Sequence, residues 1–406
     1  MSQCKNNSLS SIVPTNDLET EPKIIFTRYL YVKDEVMLTL VVAILNKHEK
    51  SLFWAYELYY SGFENELFNL LWKIYVDFYY TLNPSFYDYF VKKQKEWNKT
   101  QIGVDRDKII NIIVSDLLIR PHNLDVFLIR QITQTFEIDL ETTINFSNDT
   151  SFDIIHLTKF NELLNLRKYI KIAEIVLNKC NEKHLDELLD WSIAFFKENI
   201  TGKKFSEYKI KHNISMEKVH KKHMILAFIM LQFTILCDLK MGKKLYVIVE
   251  ENETKQFETI HSHYESSFYP YKILPRVYLY SIDEDNYLSL FKLNRNTTSI
   301  NLEEAYTRNW EYYASYSPVW YDRIKKCKGV LNKEKKTIEF PDDDCFEEFY
   351  DAFNYETDEQ KITTQNKSIQ EILKKRTWVE FYEQHNKNGL FVPAMEVLEN
   401  LGTIYY

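Results

Sequence analysis

The sequence predicts a mainly α fold: an N-terminal helical bundle or HEAT-like α-solenoid, followed by a smaller α+β region. Three observations predict it. The 406 residues contain only seven glycines, where average usage is about 7%. Glycine supplies left-handed turns and close backbone approach, so a chain this poor in it suits rods joined by polar loops. Apolar residues recur three and four apart before residue 243, as at Leu67, Leu70, Leu71, Ile74, Tyr75 and Phe78. Strand-like runs appear only after Gly242.

Element by element, residues 1–22 are polar and hold two prolines, a composition expected of a disordered tail. Glu35–Leu45 is apolar nearly all round and reads as a core helix. His48–Tyr60 follows and stops at Ser61-Gly62. Glu64–Leu82 is the next helix, and Asn83-Pro84 offers a cap and a first-turn proline for Pro84–Trp97. Arg106–Ile119 is closed by Pro121, and Leu124–Phe136 comes next. Residues 137–155 read as a loop or short hairpin. Thr158–Leu166, Tyr169–Cys180, His184–Asn199 and the long Met216–Lys240 complete a helical domain over 23–242.

The pattern then changes. Lys244–Glu250 and Lys255–Ile260 read as a hairpin, and Tyr271–Ile282 with Asn286–Leu293 as another. Helices are expected at Leu302–Ala314, at Pro318–Lys326 with Ser317 as cap, and at Asp342–Phe353. A strand is expected at Lys336–Phe340. Further helices are expected near Lys367–Lys375 and Trp378–His385. Residues 243–406 are thus an α+β domain, with a boundary near 243. Two or three domains suit this length.

Composition restricts function. A net charge of −8 gives no global footprint for nucleic acid. Five scattered cysteines without a CxxC pair suit a reduced, cytoplasmic compartment. The first twenty residues carry no apolar core, so no signal peptide is expected. The longest apolar run, Met224–Cys237, contains Gln232 and is shorter than the ~20 residues a spanning helix needs, so no membrane partner is expected. The chain contains no GxxxxGK[ST], GxGxxG or GxSxG motif. No catalytic, cofactor-binding or metal residue is assigned, and no cofactor is expected.

Several clusters remain, each beside an ordinary explanation. His220 and His223, and His261 and His263, are the only close histidine pairs, too few for a zinc site. Asp283 and Asp285 follow a strand-like run and suit a divalent cation, or simply a solvated turn. Asp342, Asp343 and Asp344 offer the same choice between a cation and an ordinary role, here the N-terminus of a helix. Lys203, Lys204, Lys209, Lys211, Lys218, Lys221 and Lys222 form a basic block that would meet an RNA or DNA backbone, or face acids, or be solvated. Residues 341–360 carry nine acids and no base, and would dock a basic partner. Trp310, Tyr312, Tyr313 and Trp320 would serve as partner anchors, or as ordinary core.

Three segments carry a resemblance. NWEYYASYSPVWYDRI at 309–324, FEEFYDAFNYETDEQ at 346–360 and SLFWAYELYYSGFENELFNLLWKIYVDFYYTLNP at 51–84 resemble an uncharacterised protein family of giant nucleocytoplasmic large DNA viruses. The resemblance implies a viral, cytoplasmic setting, and the abundance of Tyr, Phe, Asn, Lys and Ile agrees with AT-rich coding sequence. It implies no catalytic residue. The function expected is a non-enzymatic helical scaffold or adaptor that holds protein partners. The alternatives are an RNA- or DNA-associated factor of viral gene expression using the lysine block, and a metal-dependent enzyme at Asp283 and Asp285.

Overall fold

The apolar periodicity before residue 243 becomes helix almost throughout. The computed structural model describes residues 24–100, 106–140, 154–200, 218–258, 287–297, 300–353, 362–363, 366 and 376–406. The expected tail at 1–22 and the segments Tyr271–Ile282 and Lys367–Lys375 lie outside them. The first helices are α1 (Lys33–Leu45), α2 (Ser51–Tyr60), α3 (Glu64–Ile74), α4 (Tyr87–Lys99), α5 (Arg106–Leu118) and α6 (Asp125–Thr135). Then follow α7 (Ile154–Asn165), α8 (Tyr169–Glu174), α9 (Leu185–Asn199) and α10 (Lys218–Leu236).

Local chemistry adjusts several ends. α3 runs into a π-helical turn, Tyr75–Tyr79, and α8 into another, Ile175–Lys179. The Tyr80 and Cys180 amides reach carbonyls five residues back, Tyr75 at 2.8 Å and Ile175 at 2.7 Å. Pro84 opens a 3-10 turn, Pro84–Phe86, before α4. Asn83 does not cap that turn. Its Nδ2 donates instead to the Tyr79 and Pro121 carbonyls, both at 2.8 Å, pinning the α5–α6 connection to the end of the π turn. Gly62 has φ +91°, and a Cβ there would lie 2.5 Å from Pro318 Cβ, so glycine both ends α2 and admits a distant proline.

α10 is buried on every side from Met224 to Leu231, which explains its unbroken apolar run. Among the described residues no helix is long and apolar enough to cross a membrane. Helices far apart in sequence pack together: α2 on α5, and both α6 and α10 on the Tyr75–Tyr79 turn. This is the packing of a bundle, since a solenoid stacks each repeat on its neighbours.

Beyond residue 243 the strand expectations are largely corrected. Lys244–Glu250 belongs to no ladder, the Leu245 amide turning back to the Lys243 carbonyl at 3.0 Å, and its supposed partner is helix α11 (Glu251–Glu258). Residues 251–258, ENETKQFE, combine acids in the first turn with no β-branched run, and the Glu253 carboxylate accepts from the Glu250 amide at 3.1 Å. The run at Asn286–Leu293 contains a 3-10 turn, Tyr287–Leu290. Leu302–Ala314 is two short helices, α12 (Leu302–Thr307) and α13 (Trp310–Ala314). α14 (Pro318–Lys326) begins where expected, but Ser317 makes no cap bond and donates to the Ala314 carbonyl at 2.9 Å. The expected strand at 336–340 is real: β2 (Thr337–Glu339) pairs antiparallel with β1 (Val330–Asn332), with Leu331 opposite Ile338. α15 (Asp343–Phe353), α16 (Trp378–His385, opened by a Thr377–Glu380 capping box) and α17 (Met395–Glu399) complete the described elements.

Residue 243 is not an edge of the core. One cluster of buried apolar side chains runs from Ile24 to Ile404. The hub is the segment before α1. Phe26 meets Tyr306 at 4.6 Å between ring centroids, Tyr306 donates to the Leu30 carbonyl at 2.6 Å, and Trp320 Nε1 donates to the Thr27 carbonyl at 2.9 Å. The C-terminus is tied in likewise, the Lys292 amide donating to the Ile404 carbonyl at 2.7 Å.

Candidate partner-binding surface

Charged side chains divide into two populations, and the division locates the candidate surface. Among the described residues three ion pairs are buried and spent on the frame. Arg28 Nε donates to Glu57 at 2.9 Å, and the other Glu57 oxygen accepts from the Tyr29 amide at 3.0 Å. Arg130 grips Asp77, in the π turn, with Nη2 at 2.7 Å and Nε at 3.3 Å. Arg120 Nη1 holds Asp116 at 2.7 Å. Sequence reasoning overlooked all six residues, yet a signal was present. Each is a lone charge inside an apolar run: Arg28 in IIFTRYLYV, Glu57 in FWAYELYY, Asp77 in YVDFYY, Asp116 in IIVSDLLI, Arg120 at the end of that same run and Arg130 in VFLIRQI. Removal of one partner leaves an uncompensated buried charge, which fixes these pairs as structural ties.

Burial also perturbs groups near these ties. Lys73 is pushed down to about 8 by burial and then by the Arg130 charge, and its Nζ lies 4.0 Å from the centre of the Tyr406 ring. Arg323 is lowered to about 10 by burial and by Arg28, with its guanidinium 4.5 Å from the Trp320 ring centre. His122 and His385, their rings 5.6 Å apart, are lowered by burial to about 4 and about 3. Asp125 is raised to about 6 by burial, although the Leu390 and Phe391 amides donate to it at 2.8 and 3.0 Å.

The other population is exposed on α15. Asp343, Asp344, Glu347, Glu348 and Asp351 all face solvent, and none forms an ion pair among the described residues. Phe346 stands among them, 47% exposed. The opposite face of the helix holds Cys345 and Phe349, both buried. Asp342 caps the helix, accepting from the Cys345 amide at 2.8 Å, and donation from Cys345 holds its carboxyl below the usual range.

The expected anchors lie beneath this helix. Trp310, Tyr312, Tyr313 and Trp320 are all buried, which corrects their assignment as partner contacts in favour of the core alternative. Trp310 stacks on Phe349 at 6.1 Å and meets Trp320 edge-on at 5.2 Å, and Trp320 meets Phe353 at 5.5 Å. Glu311, whose pKa burial raises, accepts from the Tyr350 hydroxyl. The aromatic cluster is therefore a floor that seats α15 with its acids outward. Within the basic block, Lys221 pairs with Asp186 of α9 at 2.8 Å, and Lys222 donates to the Leu177 carbonyl at 2.8 Å. Lys203, Lys204, Lys209 and Lys211 lie outside the described residues, and of Lys218 only its place at the start of α10 is described. Asp283, Asp285, His261 and His263 lie outside them as well. Among the described residues no three or more His, Cys, Asp or Glu side chains are grouped to hold a metal.

No family model, no curated protein and no solved structure matches this chain.

Proposed function

We propose that the protein is a helical scaffold or adaptor that holds a protein partner, in the viral cytoplasmic setting that the sequence resemblance implies. The observation that carries this reading is the placement of α15. Its core side is seated on a buried aromatic floor, while its outer side presents five acids around Phe346, none ion-paired among the described residues. An exposed aromatic ringed by one sign of charge suits a basic, partly apolar partner segment. The aromatic supplies contact area, and the charges supply steering and selectivity. The buried ion pairs support the same reading, because they hold the frame that keeps this helix in place.

The test is affinity capture on the full chain followed by mass spectrometry, comparing wild type with Phe346→Ala/Glu347→Lys/Asp351→Lys. The expected result is a partner rich in Lys or Arg that is retained by wild type, weakened by salt and lost in the triple variant. A control charge reversal on α4, Lys92→Glu, leaves it bound. Partners retained equally by the triple variant would sink the reading. Salt-dependent retention of a generic oligonucleotide by the wild-type chain would favour the nucleic-acid alternative.

A further inference from the structure

The junction between the segment before α1 and helix α14 holds more hydrogen-bond donors than it uses. Trp320 Nε1 donates to the Thr27 carbonyl at 2.9 Å, and the Val319 amide donates to the Ser61 carbonyl at 3.3 Å. Ser61 Oγ in turn accepts from the Arg28 amide at 2.8 Å. These bonds set α14, and Arg323 with it, against Arg28 and Tyr29. Each of the two guanidiniums packs on a pair of rings. Arg28 lies 4.5 Å from the Tyr29 ring centre and 4.7 Å from that of Tyr60. Arg323 lies 4.5 Å from the Trp320 ring centre and 4.9 Å from that of Phe353. Ring contacts of this kind attract the charge but give its N–H groups no acceptor oxygen.

The surplus lies in those N–H groups. Arg28 spends Nε on Glu57 at 2.9 Å and Nη1 on the Phe257 carbonyl at 3.1 Å, but its Nη2 is buried without a partner. The Tyr29 hydroxyl is likewise buried without one. Arg323 makes no hydrogen bond or ion pair among the described residues, and it is partly exposed, so the cluster opens to solvent on its side. Both Glu57 oxygens are engaged, by Arg28 and by the Tyr29 amide at 3.0 Å. Two guanidinium charges thus share one carboxylate, and one positive charge is left over. Burial and then the Arg28 charge lower Arg323 to about 10, the direction expected of a cation facing another cation. Burial raises the Tyr29 hydroxyl, and the Arg28 and Arg323 charges both oppose that rise, which places the hydroxyl within the field of both.

We infer that this cluster is a binding site for the carboxylate of a small organic acid. Buried donors without acceptors cost stability, and a ligand oxygen is the acceptor that Arg28 Nη2 and the Tyr29 hydroxyl lack. The charge count selects the ligand. One negative charge neutralises the surplus, whereas a phosphate monoester brings between about 1.5 and 2. A planar carboxylate also matches the paired N–H groups of Arg323 with both of its oxygens, leaving further lone pairs for Arg28 and Tyr29. The partly exposed rings of Tyr60 and Phe353 suit an apolar or aromatic body on the acid. The site uses none of the acids of α15, so it stands or falls apart from the adaptor reading.

Isothermal titration calorimetry of the full chain at constant ionic strength tests the site. Benzoate is the probe, benzamide its uncharged counterpart and inorganic phosphate the competing anion. Wild type is expected to bind benzoate, to ignore benzamide and to bind phosphate more weakly. Arg323→Gln removes the open guanidinium and weakens benzoate by about tenfold or more. The decisive arm is Tyr29→Phe, which removes only the hydroxyl. It weakens benzoate by about fivefold, yet the ligand-free variant resists urea at least as well as wild type, because the hydroxyl has no partner to lose. A group that merely holds the frame would lower that resistance. A wild-type chain that does not bind benzoate overturns the inference, as does binding that survives both substitutions or a Tyr29→Phe chain that unfolds more easily. Tighter binding of phosphate than of benzoate overturns the assignment to a carboxylate.

Discussion

The π turn after α3 and the exposed face of α15 carry the same kind of side chain in opposite circumstances. Asp77 is buried against Arg130, where it joins the π turn after α3 to α6. Glu347 and Asp351 stand in water with no counter-charge among the described residues. A carboxylate in the core acts through its partner, because losing that partner strands a charge in a medium of low polarity. A carboxylate on the surface acts through its field, which is available to another molecule and contributes little to the fold. Residue identity alone does not separate a tie from a docking group. Burial does.

The strongest way to break this contrast is Asp77→Ala. It leaves Arg130 buried without its counter-ion and Lys73 without its neighbouring acid, so a loss of about 3–5 kcal/mol is expected in urea denaturation. Asp77→Leu combined with Arg130→Met should restore much of that loss, since no charge is then stranded. If the single variant unfolds no more easily than wild type, Asp77 is not the tie described here.

Acid sharpens the comparison within the core. His122 and His385 titrate near 4 and 3 in the folded chain, against about 6.5 unfolded. The unfolded state therefore takes up protons first, and the stability from these neutral histidines, present above pH ~6.5, is lost as pH falls below it. At pH 5 this amounts to about 2 kcal/mol for each ring. Asp34 and Asp125 act in the opposite sense. Burial raises both to about 6, above the unfolded value of ~3.9, so the folded state takes up protons first and gains about 1 kcal/mol from each at pH 5. Wild-type stability should consequently decline gently between pH 6.5 and 5. His385→Phe should flatten or reverse that slope, as read from chemical denaturation at a series of pH values. A variant with the wild-type slope would show that His385 does not titrate as a buried group.

The smallest expected effect lies on α15. Glu347→Lys should change stability by no more than about 0.5 kcal/mol, because the side chain is exposed and unpaired. Thermal unfolding measures this. A shift of several degrees would mean that the acidic face is part of the frame rather than available to a partner.

Much of this architecture was legible before any coordinates. Helix positions from α1 to α10 follow the apolar spacing, and the lone charges within apolar runs mark the buried ties. The candidate surface was legible only in part. The acidic block stood out in the sequence, but the neighbouring tryptophans and tyrosines looked equally fit to anchor a partner, and burial assigns them to the floor beneath α15. The apolar run within Lys244–Glu250 reads as a strand, yet it joins no ladder, and its expected hairpin partner is α11, whose acids and helix-forming residues favour local closure.

The sequence by itself determined where the chain is helical and where a charge would be hard to bury, since a helix closes its hydrogen bonds within four residues and so needs only local information. Tertiary structure decided the rest. It set which arginine meets which acid, which aromatics lie under α15, and that the segment before α11 leans on Asp116 and Arg120. Those outcomes depend on residues tens to hundreds of positions apart, and a strand's bonds in particular are always made with a partner that its own sequence does not contain.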